Sequence, residues 1–95
     1  MQRATLEAIL AKAPGLARSS ESTRWSVHDG HELTLYLGRP GTGMAIQNVL
    51  AVELCDEHIE IEVKDRGTLL TGYEVIAAVL AGARKERNAR GGVGF

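Results

Sequence analysis

The sequence predicts an α+β fold, a two-layer sandwich in which an N-terminal and a C-terminal helix cover an antiparallel sheet of four or five strands. Apolar residues recur at helical spacing near both ends of the 95-residue chain, and at every second position between them. Turn-forming residues separate the alternating runs, so the strands are expected to follow one another as a meander. This length suits a single domain, residues 1–95, in which 90–95 form a flexible tail.

The two predicted helices are defined by apolar stripes and by their ends. Thr5 to Ala13 places Leu6, Ile9 and Leu10 on one face, and Pro14-Gly15 ends the helix. The second helix is expected to begin at a capping box, Thr71 to Glu74, and to continue to about Ala89. Its apolar stripe consists of Val75, Ile76, Val79, Leu80 and Ala83.

The first pair of strands is predicted to form a hairpin. Thr23 to Val27 and Glu32 to Leu37 both alternate, and the turn between them contains Asp29-Gly30. A three-residue loop, His28 to Gly30, sets Trp25 opposite Leu33 and gathers the apolar side chains on one face. Gly30 then occupies the left-handed position that ends such a loop, where the missing Cβ matters.

A second hairpin is predicted downstream. Met44 to Leu54 carries apolar residues at even positions, and His58 to Lys64 alternates apolar with polar. Placing Leu54 opposite Ile59 requires a connection with an even number of residues. A further short strand is expected over Thr68 to Leu70.

A small SH3/Sm-like barrel is the alternative fold. An N-terminal helix followed by strands and by "LLTGYEVIAAV" resembles, in pattern, the RNA-binding Sm-like fold. Such barrels commonly bend a strand at a central glycine, and none lies between Met44 and Leu54. Because the capping box also favours a helix from Tyr73 onward, the sandwich is the prediction.

The segment "GRPGTG", residues 38–43, has the glycine spacing of a phosphate-binding loop but lacks its chemistry. Met44 and Ala45 occupy the positions where a Walker A loop needs Lys and Ser or Thr. The residues that follow alternate like a strand, whereas a phosphate loop must lead into a helix. The segment is therefore interpreted as a turn between antiparallel strands, and no cofactor is predicted.

Four side chains have zinc-ligand spacing: His28-x-x-His31 and Cys55-x-x-His58. In a meander both pairs would lie at one rim of the sheet, but about two strand spacings, roughly 9–10 Å, would separate them. Opposite ligands of tetrahedral zinc lie within about 4 Å of each other. No metal site is therefore predicted, and these residues are interpreted as turn side chains.

No catalytic residues are predicted, and the protein is expected not to be an enzyme. Cys55 with His58 lacks a feature that would lower the thiol pKa, and a hairpin tip offers no enclosed site. The acidic residues between Glu53 and Asp65 have no calcium-loop spacing. Strand alternation explains Glu60 and Glu62 as part of a solvated face.

The predicted function is a non-catalytic protein-binding, adaptor or regulatory module that acts as a homo-oligomer, most simply a homodimer. Val49 and Ala51 are expected on an exposed strand face, where their apolar side chains would contact a second copy. Acidic and basic blocks would then align the two copies. The predicted interaction residues are Val49, Ala51, Glu53, Glu60, Glu62, Arg84, Lys85 and Arg87.

Nucleic-acid binding through the basic C-terminal helix is the alternative function. Arg84, Lys85, Arg87 and Arg90 would carry it, but the net charge of −1 argues against it. The same residues suit the negative end of a helix dipole.

The protein is expected to be soluble and cytoplasmic, without a membrane partner. The longest apolar run, Val75 to Ala81, is far shorter than the roughly 20 residues of a membrane span. Cys55 is the only cysteine, which agrees with a reducing compartment. Arginine outnumbers lysine eight to three, which hints at a GC-rich bacterial genome.

Overall fold

The computed structural model describes residues 1–19, 22–38 and 43–84. Within these ranges the chain forms a small α+β fold with one helix and two antiparallel sheets. The five-stranded sheet has the order β1-β2-β5-β6-β7, and the three-stranded sheet has the order β4-β3-β8. The elements are α1 (Arg3–Lys12), β1 (Leu16–Arg18), β2 (Arg24–Val27), β3 (His31–Leu37), β4 (Met44–Ile46), β5 (Val49–Leu54), β6 (Ile59–Val63), β7 (Gly67–Thr71), a 3-10 turn (Tyr73–Val75) and β8 (Ile76–Ala83).

The N-terminal helix is confirmed, with its start two residues before the predicted one. Leu6 and Leu10 lie one turn apart on its inner face and are fully buried. The helix ends before Pro14, and the chain reverses at Gly15, whose φ is +79°. An apolar stripe with a Pro-Gly stop was therefore a sufficient signal for this element.

Two long stretches of chain bend from one sheet into the other. β2 pairs with β5 in the five-stranded sheet, while β3, which follows β2, pairs with β4, which precedes β5. The first stretch turns between His28 and His31, and the second turns at Asn48, whose φ is +60°. Asparagine tolerates this left-handed conformation, so the chain can bend at Asn48 although the sequence has no glycine there.

The predicted hairpin between the first two long strands is wrong. Trp25 pairs with Val52 of β5 and Leu33 with Ala81 of β8. The turn itself has the expected geometry, because the amide of His31 donates to the carbonyl of His28 and Gly30 has φ +82°. It redirects the chain from one sheet to the other, because β2 pairs with β5 while β3 pairs along its length with β8.

The second hairpin is confirmed in register. Leu54 pairs with Ile59 and Val52 with Ile61, as an even-numbered connection requires. β7 extends the sheet after a turn at Asp65, where φ is +61°.

The predicted C-terminal helix is wrong over the described residues, because Ile76–Ala83 form β8. The capping box gives only the 3-10 turn, whose N-cap is Gly72 and makes no side-chain cap bond. Strand formation lets these residues pair along β3 and buries Ile76 to 2% exposure. Residues 85–89 of the predicted helix, like the predicted tail, lie outside the described ranges.

The core lies between the two sheets, with α1 packed against it. β3 contributes Leu33 and Leu35, and the facing sheet contributes Val52, Ile59 and Ile61, all fully buried. This arrangement replaces the predicted sheet covered by two helices.

The glycine-rich segment joins two paired strands, as predicted. Leu37 pairs with Met44 on either side of it, and Met44 begins β4. Residues 39–42 lie outside the described ranges. Since the chain continues as a strand, the helix that a phosphate loop needs does not follow.

Candidate functional site

The outer edge of β8 is the most prominent candidate for an interaction. Among the residues that the structure describes, β3 is the only strand paired with β8. β8 has eight residues, IAAVLAGA, none of which is charged. Alternate residues of such a strand direct their amide and carbonyl groups away from the sheet, where they can pair with another strand.

The side chains of β8 add apolar surface to this edge. Leu80 is 58% exposed and Ala78 is exposed on the same face, beside the half-exposed ring of Tyr36 on β3. Val79 and Ala81 point to the core side but are only partly buried. An added strand would therefore cover apolar groups on both faces of β8.

The remaining sheet edges are shorter. β1 and β4 have three residues each and β7 has five. β7 carries the exposed Leu70, 59% exposed, and Arg66 immediately precedes this strand, as Arg84 follows β8. Short edges are one means by which proteins discourage edge pairing, so β8, the longest of these edges, is the least protected edge described.

Val49 and Ala51 are not on an exposed face, contrary to the prediction. Each is 3% exposed. The strand register shifts between these two residues. Val49 pairs with Val63 and Ala51 with Glu62, so Leu50 has no partner on β6. This bulge turns Val49 into the core and Leu50 outward, and a strict alternation pattern cannot reveal it.

The acidic residues predicted to contact a partner are largely paired within the chain. Arg24 of β2 lies beside Glu53 at 3.8 Å and forms a short ion pair with Glu62. Glu60 lies 3.0 Å from the Nε2 atom of His58. The charge on the outer face of the five-stranded sheet is thus partly neutralised by Arg24, and Glu60 has a hydrogen-bonding partner in His58.

Of the predicted basic interaction residues, only Arg84 lies within the described ranges. Arg84 is exposed directly after β8, and its amide donates to the carbonyl of Gly30 at 2.7 Å. It lines a cleft of about 230 Å³ together with His28, His31 and Lys64. Lys85 and Arg87 lie outside the described ranges. Asp29 and Glu32 line the same cleft, so charges of both signs meet there.

A second cleft of about 400 Å³ lies where β4 approaches the β6–β7 turn. Met44, Ile46 and Leu69 provide its apolar walls, and Arg66 is its only ionisable lining residue among those described. Its described lining contains no paired acid and base.

The four side chains with zinc-ligand spacing, His28, His31, Cys55 and His58, are divided between opposite ends of the five-stranded sheet. β2 runs antiparallel to β5 with Arg24 beside Glu53, so the turn after Val27 lies near the start of β5. The Cys55–His58 turn follows the end of β5. The prediction of a shared rim failed because it assumed a meander.

Cys55 and His58 are joined instead by Glu60. The ligand atoms of these three residues all lie within 4.8 Å of one another, the only such group of three among the described residues. The Sγ atom of Cys55 is 4.0 Å from the Oε2 atom of Glu60. Glu60 is among the predicted interaction residues but not among the predicted ligand candidates, although alternation places it on the same face as His58, two residues before it.

The hairpin holds this group by backbone contacts. The amide of Cys55 donates to the carbonyl of His58 at 2.9 Å, and the hydroxyl of Tyr73 donates to the carbonyl of Cys55 at 2.6 Å. Burial, followed by the charge of Glu60, raises the pKa of the Cys55 thiol. The thiol is therefore protonated near neutral pH, which does not favour a nucleophilic role for Cys55 with His58.

Comparison of the chain with known protein families, curated proteins and solved structures finds no match. In the described part of the chain, no helix has the length and apolar character needed to cross a membrane.

Proposed function

We propose that this protein is a non-catalytic protein-binding module, of the adaptor or regulatory kind, that acts as a homodimer through its β8 edge. The observation that carries the proposal is an uncharged eight-residue strand that, within the described residues, is paired on one side alone. A strand of this length extends for about 27 Å, enough for a continuous ladder of hydrogen bonds.

A second copy of the same chain suits this edge. Antiparallel pairing of β8 with β8 about a two-fold axis joins two three-stranded sheets into one of six strands. Because the strand has no charge, no like charges face each other in this arrangement. Leu80 and Ala78 of each copy then contact the other copy, which removes their apolar surface from water.

Charge also favours this orientation. Arg84 follows the end of β8, and Glu74 lies two residues before its start, both exposed. Antiparallel pairing centred on the strand brings Arg84 of one copy towards Glu74 of the other. Exposed ion pairs contribute only about 0–1 kcal/mol each, so they orient the dimer while the strand pairing holds it.

The SH3/Sm-like barrel is the finer fold description that we favour over the sandwich. Its support is that two stretches of chain change sheets, at the His28–His31 turn and at Asn48. Strands that pass from one sheet to the other at bends are characteristic of orthogonal, barrel-like packing.

The experiment is sedimentation equilibrium over a range of protein concentrations in low and moderate salt. The chain has a mass of 10.2 kDa, and the wild type is expected to sediment as a dimer. Leu80→Lys places a charge on the β8 edge and is expected to give a monomer. Leu70→Lys on β7 is the matched control, because the two leucines are equally exposed, and it should remain dimeric.

Two results would contradict the proposal. One is a wild-type monomer at high micromolar concentration in both salts. The other is a dimer that survives Leu80→Lys but dissociates with Leu70→Lys, which would move the interface to β7.

The nucleic-acid alternative is distinguished by a separate measurement. Arg84 is the one residue of its basic group within the described ranges, and it follows a strand where that alternative needs a helix. A salt-sensitive gel shift of RNA or DNA that is lost with Arg84→Ala would favour nucleic-acid binding over the homodimeric adaptor.

A further inference from the structure

We propose that Cys55, His58 and Glu60 form a binding site for a single Zn²⁺ ion, with a fourth coordination position open to water. The ligand atoms are the thiolate Sγ of Cys55, the Nε2 of His58 and the Oε2 of Glu60. The site is independent of the β8 edge, since all three residues belong to the β5–β6 hairpin and the start of β6.

Two of the three ligand-to-ligand distances are close to tetrahedral spacing, and the third, between Cys55 and His58, is within 4.8 Å. Zinc bonds of about 2.0–2.3 Å at tetrahedral angles separate a nitrogen from an oxygen ligand by roughly 3.3 Å, and a sulfur from an oxygen by roughly 3.6 Å. The corresponding distances here are 3.0 Å for His58 to Glu60 and 4.0 Å for Cys55 to Glu60. The two pairs that involve Glu60 need adjustments of a few tenths of an ångström, and rotation of the Cys55 and His58 side chains would bring their ligand atoms, now within 4.8 Å, to the spacing that zinc requires.

The local fold explains why these side chains converge. Cys55 and His58 face each other across the hairpin turn, where the amide of Cys55 donates to the carbonyl of His58. Glu60 lies two residues after His58 on the same face of the strand. The hydroxyl of Tyr73 donates to the carbonyl of Cys55, so a contact from outside the hairpin also holds this residue in place.

The charge balance suits a divalent cation. Thiolate and carboxylate together carry two negative charges, and the thiol proton leaves to solvent as the metal binds. The nearest additional acids already have partners, since Asp56 lies 3.6 Å from Arg3 and Glu53 lies beside Arg24. The Zn²⁺ charge is thus matched by its own ligands.

The ligand types select among metals. Ca²⁺ and Mg²⁺ need oxygen ligands, whereas a set of sulfur, nitrogen and oxygen is typical of zinc. Three protein ligands with an open position are also the arrangement that zinc uses where it binds water or another small ligand.

The test is titration of the chelator-treated, reduced protein with Zn²⁺ alone by calorimetry, and with Co²⁺ alone by absorption spectroscopy. One equivalent of Zn²⁺ is expected to bind. Co²⁺ is expected to give a thiolate charge-transfer band and the visible bands of tetrahedral coordination. Cys55→Ser should abolish the charge-transfer band and weaken Zn²⁺ binding by roughly 100-fold, and His58→Gln and Glu60→Gln by at least about tenfold.

The control variant is the double substitution His28→Gln with His31→Gln, which removes the other two histidines at the far end of the sheet. It should leave Zn²⁺ binding unchanged, as should Leu80→Lys at the β8 edge. Fluorescence of Trp25, the sole tryptophan, reports whether each variant retains its buried core.

Failure of one equivalent of Zn²⁺ to bind the folded wild type at micromolar concentration would overturn the proposal. Equal affinity of folded Cys55→Ser and wild type would overturn it too. Neither result bears on the dimer proposal, because the sedimentation experiment tests the β8 edge.

Discussion

Tyr73 and Cys55 are joined by a 2.6 Å hydrogen bond from the phenolic hydroxyl to the backbone carbonyl oxygen, between residues 18 positions apart. Tyr73 is 8% exposed, so the ring fills space in the core while its hydroxyl ties the 3-10 turn to the β5–β6 hairpin. The bond links two segments that strand pairing does not connect.

Tyr73→Phe is therefore expected to destabilise the fold. The substitution keeps the ring but leaves the carbonyl of Cys55 without this donor, at a cost of about 1–2 kcal/mol. Urea denaturation followed by Trp25 fluorescence measures the change in the free energy of unfolding. Tyr36→Phe is the control, because Tyr36 is half-exposed on β3 and should change stability by less than about 0.5 kcal/mol.

The thiol of Cys55 is expected to react slowly. Burial and the neighbouring Glu60 raise its pKa, so less of the reactive thiolate is present at mildly alkaline pH than in the unfolded chain. A chromogenic disulfide reagent, used with a metal chelator, should modify the folded protein more slowly than the protein in denaturant. Glu60→Gln should accelerate modification of the folded form, and equal rates in all three samples would contradict this assignment.

A raised pKa also makes the free energy of unfolding depend on pH in the alkaline range. Burial raises the pKa of Tyr73 as well. Both groups hold their protons more tightly when folded, so their contribution is complete below the unfolded pKa values, about 8.5 and 10, and is lost as pH rises through the folded values. The loss in stability above pH 9 should be smaller in Tyr73→Phe than in the wild type.

Gly15 is expected to tolerate substitution less well than Gly30. Both have positive φ, +79° and +82°, so alanine is strained at either position by about 1–2 kcal/mol. A Cβ on Gly15 would overlap the ring of His31 and lie 2.6 Å from its Cβ, whereas one on Gly30 meets no described atom within 4 Å. Gly15→Ala should therefore cost about 1–3 kcal/mol more than Gly30→Ala in urea denaturation. Equal losses would show that backbone strain alone decides both positions.

The parts of the fold that local pattern determines could be predicted from the sequence. α1 follows from its stripe and its Pro-Gly stop, and the β5–β6 register follows from the requirement that Leu54 and Ile59 share a face. Gly30 was also placed in its left-handed conformation. Each of these depends on residues close together in the chain.

The parts of the fold that depend on pairing between distant segments could not be predicted from the sequence. Ile76–Ala83 suit a helix by composition and spacing, but the side of β3 offers pairing that no local signal reveals. The bulge at Leu50 likewise appears only when β5 meets β6. The candidate site does not follow this division, because Glu60 lies only two residues after His58 and was still not joined to the Cys55 and His58 spacing.

The pairing of β3 with β8 has a consequence for how the protein folds. His31 meets Ala83, so the three-stranded sheet can be completed only after nearly all of the described chain has been synthesised. Until then β3 keeps one open side while the local β5–β6–β7 hairpins can already form. Contacts between distant segments close slowly because of the entropy of the intervening loop, so docking of β8 is expected to be the late step of folding. A nascent or partly folded chain would then expose both β3 and β8, and a second copy could be captured at either strand before the monomer is complete.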